Sequence, residues 1–245
     1  MIRLPVSGLL VDVRPPGGAE DILLWDAPVP DRALALALVG RLTSVPEPAS
    51  LVVHDFEALL LHLHGLVFGG TIHADATCRC RQRIDLSFSA SEFMRARKPR
   101  RPRNVTPAQD AGWFTLTGEV GAFRLPTIGD QVAIAAEADP VAALAARCLR
   151  PPRPSARVER AMAALSPPIS EEVSGTCPYC LARASFFFDV PTFVLSELKV
   201  QAGLICEDVH LLAGHYRWSE EHILALPPRR RRRYVDLVSA ERGLG

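Results

Sequence analysis

Apolar and polar positions recur at two periods along this chain, and the changes of period locate most of its elements. At the start, Ile2, Leu4, Val6, Leu9, Leu10 and Val11 flank a Ser7-Gly8 turn and predict a β-hairpin over residues 1–12. A polar turn follows at Pro15-Pro16-Gly17-Gly18. Apolar residues then fall at helical spacing over 19–25, 30–42 and 53–63, with Asp31 placed to serve the first-turn amides of the second helix and Gly65 ending the third. The apolar run 66–72 leads into Cys78-Arg79-Cys80, and Arg83–Ser89 alternates as a half-buried strand does. Residues 95–103 are basic and proline-rich, and with 104–110 they hold too little apolar surface to pack, which predicts a mobile, solvent-exposed loop. Strand-like patterns at 113–116 and 119–125 and a helix over 139–149 predict a compact insertion. A second Pro/Arg-rich link at 151–157 precedes a short helix and a second cysteine pair. From 193 onward the pattern is helical over 193–215, 219–226 and 229–241, punctuated by Gly214 and Pro227-Pro228.

Composition narrows the class. Nearly half of the 245 residues are hydrophobic, enough for one large domain or two small ones. The 28 basic residues nearly cancel the 27 acidic ones, so the chain as a whole has no field that draws it onto nucleic acid or an anionic membrane. The first residues lack the pattern of a signal peptide, and no apolar run approaches the roughly 20 residues that span a bilayer. The expectation is a soluble, intracellular protein. Six cysteines are too few for a disulfide scaffold of this size, and two close pairs suggest metal ligation.

Those pairs are Cys78-x-Cys80 and Cys177-x-x-Cys180. A structural zinc takes four thiolate or imidazole ligands in a tetrahedron, and a knuckle brings two sulfurs to it within one tight turn. The second pair has the favoured spacing, and the first is one residue shorter. Cys80, Arg83, Phe88 and Phe93 reappear as Cys180, Arg183, Phe188 and Phe193 at a constant offset of 100. Both knuckles thus lead into strands of equal length, as the two halves of a zinc ribbon do. The rival readings are four unrelated buried thiols and a redox Cys-x-x-Cys, which needs a helix N-terminus where a strand follows here. Cys148 and Cys206 fall on apolar faces of predicted helices and read as core residues. With Cys78, Cys80, Cys177 and Cys180 all bound, no position is left for water or substrate, so the zinc is a folding device. The resulting class is α+β: a small N-terminal α+β unit over 1–72, a split zinc ribbon over 73–94 and 174–192, an insertion with a flexible basic loop over 95–173, and C-terminal helices over 193–245.

His54, His62, His64 and His73 show no metalloprotease spacing, and no nucleophile elbow, phosphate loop or dinucleotide fingerprint appears. Neither an enzyme nor a small-molecule substrate is expected. Arg229 to Arg233 reads either as a nucleic-acid contact or as a solvated helix face beside the apolar Tyr234, Leu237 and Val238. In the tail, Ser219 is placed to cap a helix with an acidic first turn, and Tyr216 and Trp218 precede the cap, positioned to pack on Ile223 or on a neighbour. A helix that short must dock on something.

At these residues the sequence resembles the T4-type baseplate-protein family of contractile phage tails, the group of hub and assembly proteins. The resemblance rests on three stretches: Leu4-Pro5-x-x-Gly8 with Val11-x-Val13-Arg14 and Ala19-Glu20; Phe123-Arg124-Leu125-Pro126-Thr127 with Asp130; and Tyr216-x-Trp218-Ser219-x-x-x-Ile223-Leu224-x-Leu226-Pro227 followed by Arg231 to Tyr234. The paired cysteines depart from the short members, so an enlarged variant is implied. The resemblance implies a structural or assembly role in a baseplate or injection system, built in the host cytoplasm. Other tail proteins would be the partners, contacted through Tyr216, Trp218, Ile223, Leu224, Arg231 and Tyr234. The alternative is a zinc-ribbon regulator that binds nucleic acid through Arg229 to Arg233.

Overall fold

The computed structural model describes residues 1–153 and 155–243. In chain order its first elements are β1 (Ile2–Arg3), β2 (Leu10–Val11), α1 (Gly18–Asp26), α2 (Arg32–Leu42), α3 (Val53–Phe68), β3 (Thr71–Thr77), β4 (Arg83–Ser89) and α4 (Ala90–Ala96). The middle of the chain holds β5 (Val105–Pro107), β6 (Trp113–Leu116), β7 (Ala122–Arg124), α5 (Ile128–Ile134), α6 (Pro140–Cys148), β8 (Leu149–Arg150) and α7 (Ala156–Leu165). It ends with β9 (Glu171–Thr176), β10 (Arg183–Phe188), α8 (Val190–Ala202), α9 (Ile205–Tyr216), α10 (Glu220–Ala225) and α11 (Pro228–Glu241). The fold is mixed α+β, with all paired strands in small antiparallel sheets. Among the described residues no helix is long and apolar enough to cross a membrane.

The chain divides into two compact units, one made of Met1–Val13 with Thr43–Val190 and the other of Arg14–Leu42 with the residues from 191 onward. This differs from the N-terminal unit expected over 1–72, because α1 and α2 group with the C-terminal helices.

In the first unit, β1 and β2 pair as the expected hairpin, and the Asp55 carboxylate accepts the Val6 and Ser7 amides at 2.7 and 2.8 Å. Asp55 sits in the first turn of α3, which buries Phe56, Leu59, Leu60 and Leu63. That helix passes through the expected stop at Gly65, where a side chain would meet no neighbour, and ends at Gly69, whose φ of 90° a side chain would strain. The insertion is a four-stranded meander, β5-β6-β7-β8, packed on α7. Its core is Val105, Leu116, Phe123, Leu125, Leu149, Ala161 and Leu165. β5 lies inside the stretch expected to be loop. Gly121 makes the β7–β8 pairing possible: its φ is 102°, and a Cβ there would sit 1.8 Å from the Arg150 carbonyl oxygen. The basic stretch has a defined course too, since the Arg100 amide donates to Ala164 O at 2.7 Å and Arg97 pairs with Glu171. α5, absent from the sequence pattern, starts at a reciprocal cap between Thr127 and Asp130. The Arg124 guanidinium grips Asp130 with two bonds of 2.6 and 2.8 Å.

In the second unit the helical run expected over 193–215 is broken at Gly203-Leu204 into α8 and α9, the Gly203 amide closing α8 on Lys199 O and Val200 O. Arg14 forks onto Glu20 with two 2.9 Å bonds. Gly18 in α1 lies so close to Leu224 that a Cβ would come within 2.6 Å of its carbonyl oxygen. Lys199 donates to Leu24 O, Trp25 O and Ala27 O, placing a cation at the C-terminal end of α1.

Candidate metal centre

Two hairpins carry the cysteines. β3 and β4 pair over seven residues, from Thr71 opposite Ser89 to Thr77 opposite Arg83, and β9 and β10 over six, from Glu171 opposite Phe188 to Thr176 opposite Arg183. The connecting turn of each hairpin is a knuckle. Cys78 N donates to Gln82 O and Arg81 N to Cys78 O at 2.9 and 2.8 Å; in the other turn, Cys177 N donates to Ala182 O and Leu181 N to Cys177 O at 2.9 and 3.0 Å. Arg81 and Leu181, which directly follow the second cysteine of each pair, both have positive φ, 68° and 60°. This left-handed residue turns the chain back into its strand, and a non-glycine there costs about 1 kcal/mol.

The knuckles place Cys78, Cys80, Cys177 and Cys180 within 4.8 Å of one another, close enough to hold a metal ion. Cys78 Sγ lies 3.7 Å from Cys180 Sγ, and Cys80 Sγ 3.8 Å from Cys177 Sγ. A tetrahedron of sulfurs around zinc, with bonds of about 2.3 Å, has edges of about 3.8 Å. A disulfide would need about 2 Å. Cys78 and Cys177 are buried and Cys80 and Cys180 face solvent. Ile84, Leu86 and Ala184 pack against the buried pair. At the other end of the hairpins, Phe88 and Phe188 meet edge to face at 5.6 Å, and Phe93 lies 5.1 and 5.6 Å from the two. The Phe of each half therefore packs on its counterpart at the end of the hairpin far from the knuckle, and the side chains directly against the buried cysteines are Ile84, Leu86 and Ala184.

At Cys177 burial opposes ionisation, but the Cys180 and Tyr179 amides and the adjoining thiols hold its pKa down at about 7. At Cys180 the Ala182 amide also favours the thiolate, but the Cys177 and Cys80 thiols outweigh it and push the group up to about 12. Four sulfurs this close cannot all carry charge without a cation among them.

The remaining candidates lie apart from this centre. His54 is buried, with Nδ1 2.7 Å from Pro167 O; the His64 ring lies tilted against Phe68 at 4.8 Å; His73 is on the exposed face of β3. Burial lowers the pKa of His54, His62 and His64, and they do not converge with ligand geometry. Cys148 is buried as expected, 4.0 Å from Asp130, whereas Cys206 is exposed rather than in the core.

The residues expected to face a partner are largely engaged within the second unit. Ile223 is fully buried with Leu212, Val235 and Val238. Tyr216, Trp218 and Tyr234 form a half-buried aromatic cluster beside them, Tyr216 stacking on Trp218 at 4.6 Å, and Leu224 covers Gly18. Arg231 is buried too, its Nη2 2.7 Å from Asp21 and its Nε 3.1 Å from Asp208. The run Arg229 to Arg233 is therefore not one continuous basic face, since its middle member is consumed inside the helices. Burial raises the pKa of Asp21 and Asp208, Arg231 opposing it. Spacing alone gave no sign of this triad, whose members are up to 210 positions apart.

Comparison with known protein families, with curated proteins and with solved structures returned no match.

Proposed function

We propose that the four-cysteine centre binds one zinc ion as a structural staple and that the protein is a non-enzymatic structural or assembly component of a contractile-tail baseplate or a related injection system. The observation that carries the zinc reading is the sulfur geometry: contacts of 3.7 and 3.8 Å across the two knuckles match the edges of a zinc–thiolate tetrahedron. Four sulfur donors complete that coordination, so the ion would hold chain segments together and leave no open position for a reacting group.

The baseplate part rests on the resemblance at Tyr216 to Tyr234 and at the other two stretches. It is compatible with a molecule whose tail motif builds a small helical cluster of its own, leaving the outer sides of Tyr216, Trp218 and Tyr234 half exposed for tail-protein partners. Elemental analysis of purified protein should give one zinc per chain. Mass spectrometry of tail particles and assembly intermediates from producing cells should find the protein, and deleting its gene should leave tails without completed baseplates. Normal particles formed in its absence would overturn the reading.

A further inference from the structure

The four sulfurs of the cysteine cluster are not equivalent. Cys78 and Cys177 are 4% and 0% exposed, shut in by Ile84, Leu86 and Ala184, whereas Cys80 and Cys180 face solvent. Each solvent-facing sulfur has a buried one beside it on the other hairpin, Cys180 at 3.7 Å from Cys78 and Cys80 at 3.8 Å from Cys177. Twice over, an outer thiol that a small oxidant can reach is backed by an inner thiol that it cannot. The setting of the outer pair favours attack there. The turns 78–82 and 177–182 contain no carboxylate, and Arg79 and Arg81, on either side of Cys80, are exposed with no carboxylate partner among the described residues. Reactive cysteines sit in electropositive, partly exposed surroundings of this kind.

The unequal spacing of the knuckles decides how oxidised sulfurs can pair. Within the first turn a disulfide would have to join Cys78 to Cys80 across a single residue, closing a small strained ring. That turn is already fixed by the bonds from Cys78 N to Gln82 O and from Arg81 N to Cys78 O. If Cys177 paired with Cys180 inside the second turn, Cys78 and Cys80 would be left with only that ring. Complete pairing therefore runs between the hairpins. A link between Cys78 and Cys177 would need oxidant at a buried sulfur, so the favoured pairs are Cys78 with Cys180 and Cys80 with Cys177.

We propose that the cluster is a peroxide-sensitive staple: hydrogen peroxide oxidises Cys180 and Cys80, the metal ion leaves, and disulfides from Cys78 to Cys180 and from Cys80 to Cys177 join the hairpins in its place. This rests on the zinc reading given above. At each outer sulfur the thiolate attacks one peroxide oxygen, the O–O bond breaks and hydroxide leaves, giving a sulfenic acid. The inner thiolate then attacks that sulfur and expels a second hydroxide as the S–S bond forms. Two peroxides thus take four electrons from the four thiolates, and with four protons from solvent the products are two disulfides, one free Zn2+ and four waters. The hairpins stay cross-linked in both states, so oxidation discharges the ion without undoing the ribbon.

The test uses the full chain carrying Cys206→Ser, which removes the other exposed thiol. Protein purified under reducing conditions is treated with hydrogen peroxide. Zinc release is read with a colorimetric chelator, thiols by titration under denaturing conditions, and disulfides by mass spectrometry of a non-reduced digest. One zinc per chain should be released, thiols should fall from five to one, the survivor being the buried Cys148, and the linked peptides should join Cys78 to Cys180 and Cys80 to Cys177. Dithiothreitol with added zinc should restore the starting state. The oxidised chain should keep a cooperative thermal transition in a chelator that abolishes it in the reduced chain. Zinc retained in millimolar peroxide, a link between Cys177 and Cys180, or sulfinic and sulfonic acids in place of disulfides would each overturn the proposal. Protein holding no zinc before peroxide is added would instead overturn the zinc reading, and the proposal with it.

Discussion

Replacing Cys177 with Ser removes the least exposed of the four clustered sulfurs and, on the zinc reading proposed above, should leave the protein unable to bind the ion or keep its fold. The two hairpins it joins are each two-stranded, and a lone two-stranded hairpin is marginal in water. Away from the cysteines they meet through Phe188 against Phe88 and Phe93, two ring contacts each worth about 0.5–1.5 kcal/mol beyond simple burial. These sum to roughly 1–3 kcal/mol, whereas a structural zinc contributes on the order of 10 kcal/mol, comparable to the whole stability of an ordinary domain. The metal term therefore dominates, and loss of one ligand is not covered by the aromatic contacts. Cys177→Ser and Cys180→Ser should accumulate as insoluble protein. Cys206→Ser, exposed and remote from the cluster, should remain soluble and keep one metal ion. Elemental analysis together with thermal melting, with and without a chelator, reads both effects. Metal-free wild-type protein, or a Cys177→Ser protein that melts at the wild-type midpoint, would refute the reasoning.

Arg231→Ala should cost about 3–5 kcal/mol in urea unfolding at neutral pH, because it strands the Asp21 and Asp208 carboxylates in the helical unit; adding Asp21→Asn and Asp208→Asn should recover part of that loss. Gly121→Ala should destabilise by at least about 2 kcal/mol, since the new Cβ meets the Arg150 carbonyl in a left-handed conformation. Gly214→Ala, in open space within α9, should instead stabilise by about 0.5–1 kcal/mol, both read as shifts in melting temperature. Asp130 has its carboxyl held at about 2: burial raises it, but the Arg124 guanidinium and the Thr127 amide and hydroxyl prevail. A lowered pKa stabilises the fold above the ordinary value of 3.8 and loses that contribution as pH falls toward 2. Asp130→Asn should accordingly remove about 1–2 kcal/mol at pH 7 and much less near pH 2, measured by urea unfolding at both.

The four-cysteine cluster was legible because its signals are local. Two cysteines in one tight turn, followed by an alternating strand, specify a knuckle whatever lies between the two copies, and the 100-residue offset paired them. Helix limits were less legible. Gly65 and Gly69 both look like stops, but only Gly69 adopts the conformation that demands glycine. α5 is short, and its one sequence mark was Thr127-x-x-Asp130, a capping box easily passed over without a long apolar period after it. The grouping of α1 and α2 with the C-terminal helices was not legible at all. It depends on Gly18 against Leu224 and on Asp21 reaching Arg231, and no local pattern separates that arginine from its four exposed or partly paired neighbours.

The two unequal knuckles show why the centre tolerates both the shorter spacing and the long insertion. Each short sulfur contact runs between hairpins, Cys78 to Cys180 and Cys80 to Cys177. The first knuckle lacks one residue between its cysteines but keeps the same two backbone bonds and the same left-handed residue after the second cysteine, so the deletion is absorbed at the tip. A metal bound this way joins chain segments about a hundred residues apart, and closing a flexible loop of that length costs about 4 kcal/mol beyond the cost of the shortest closure. The two ring contacts between the halves fall short of that cost, while a zinc–thiolate site would exceed it about two- to threefold. Because the closure cost grows only with the logarithm of loop length, the insertion can carry its own sheet and core with little effect on the ribbon, provided the proposed metal stays bound.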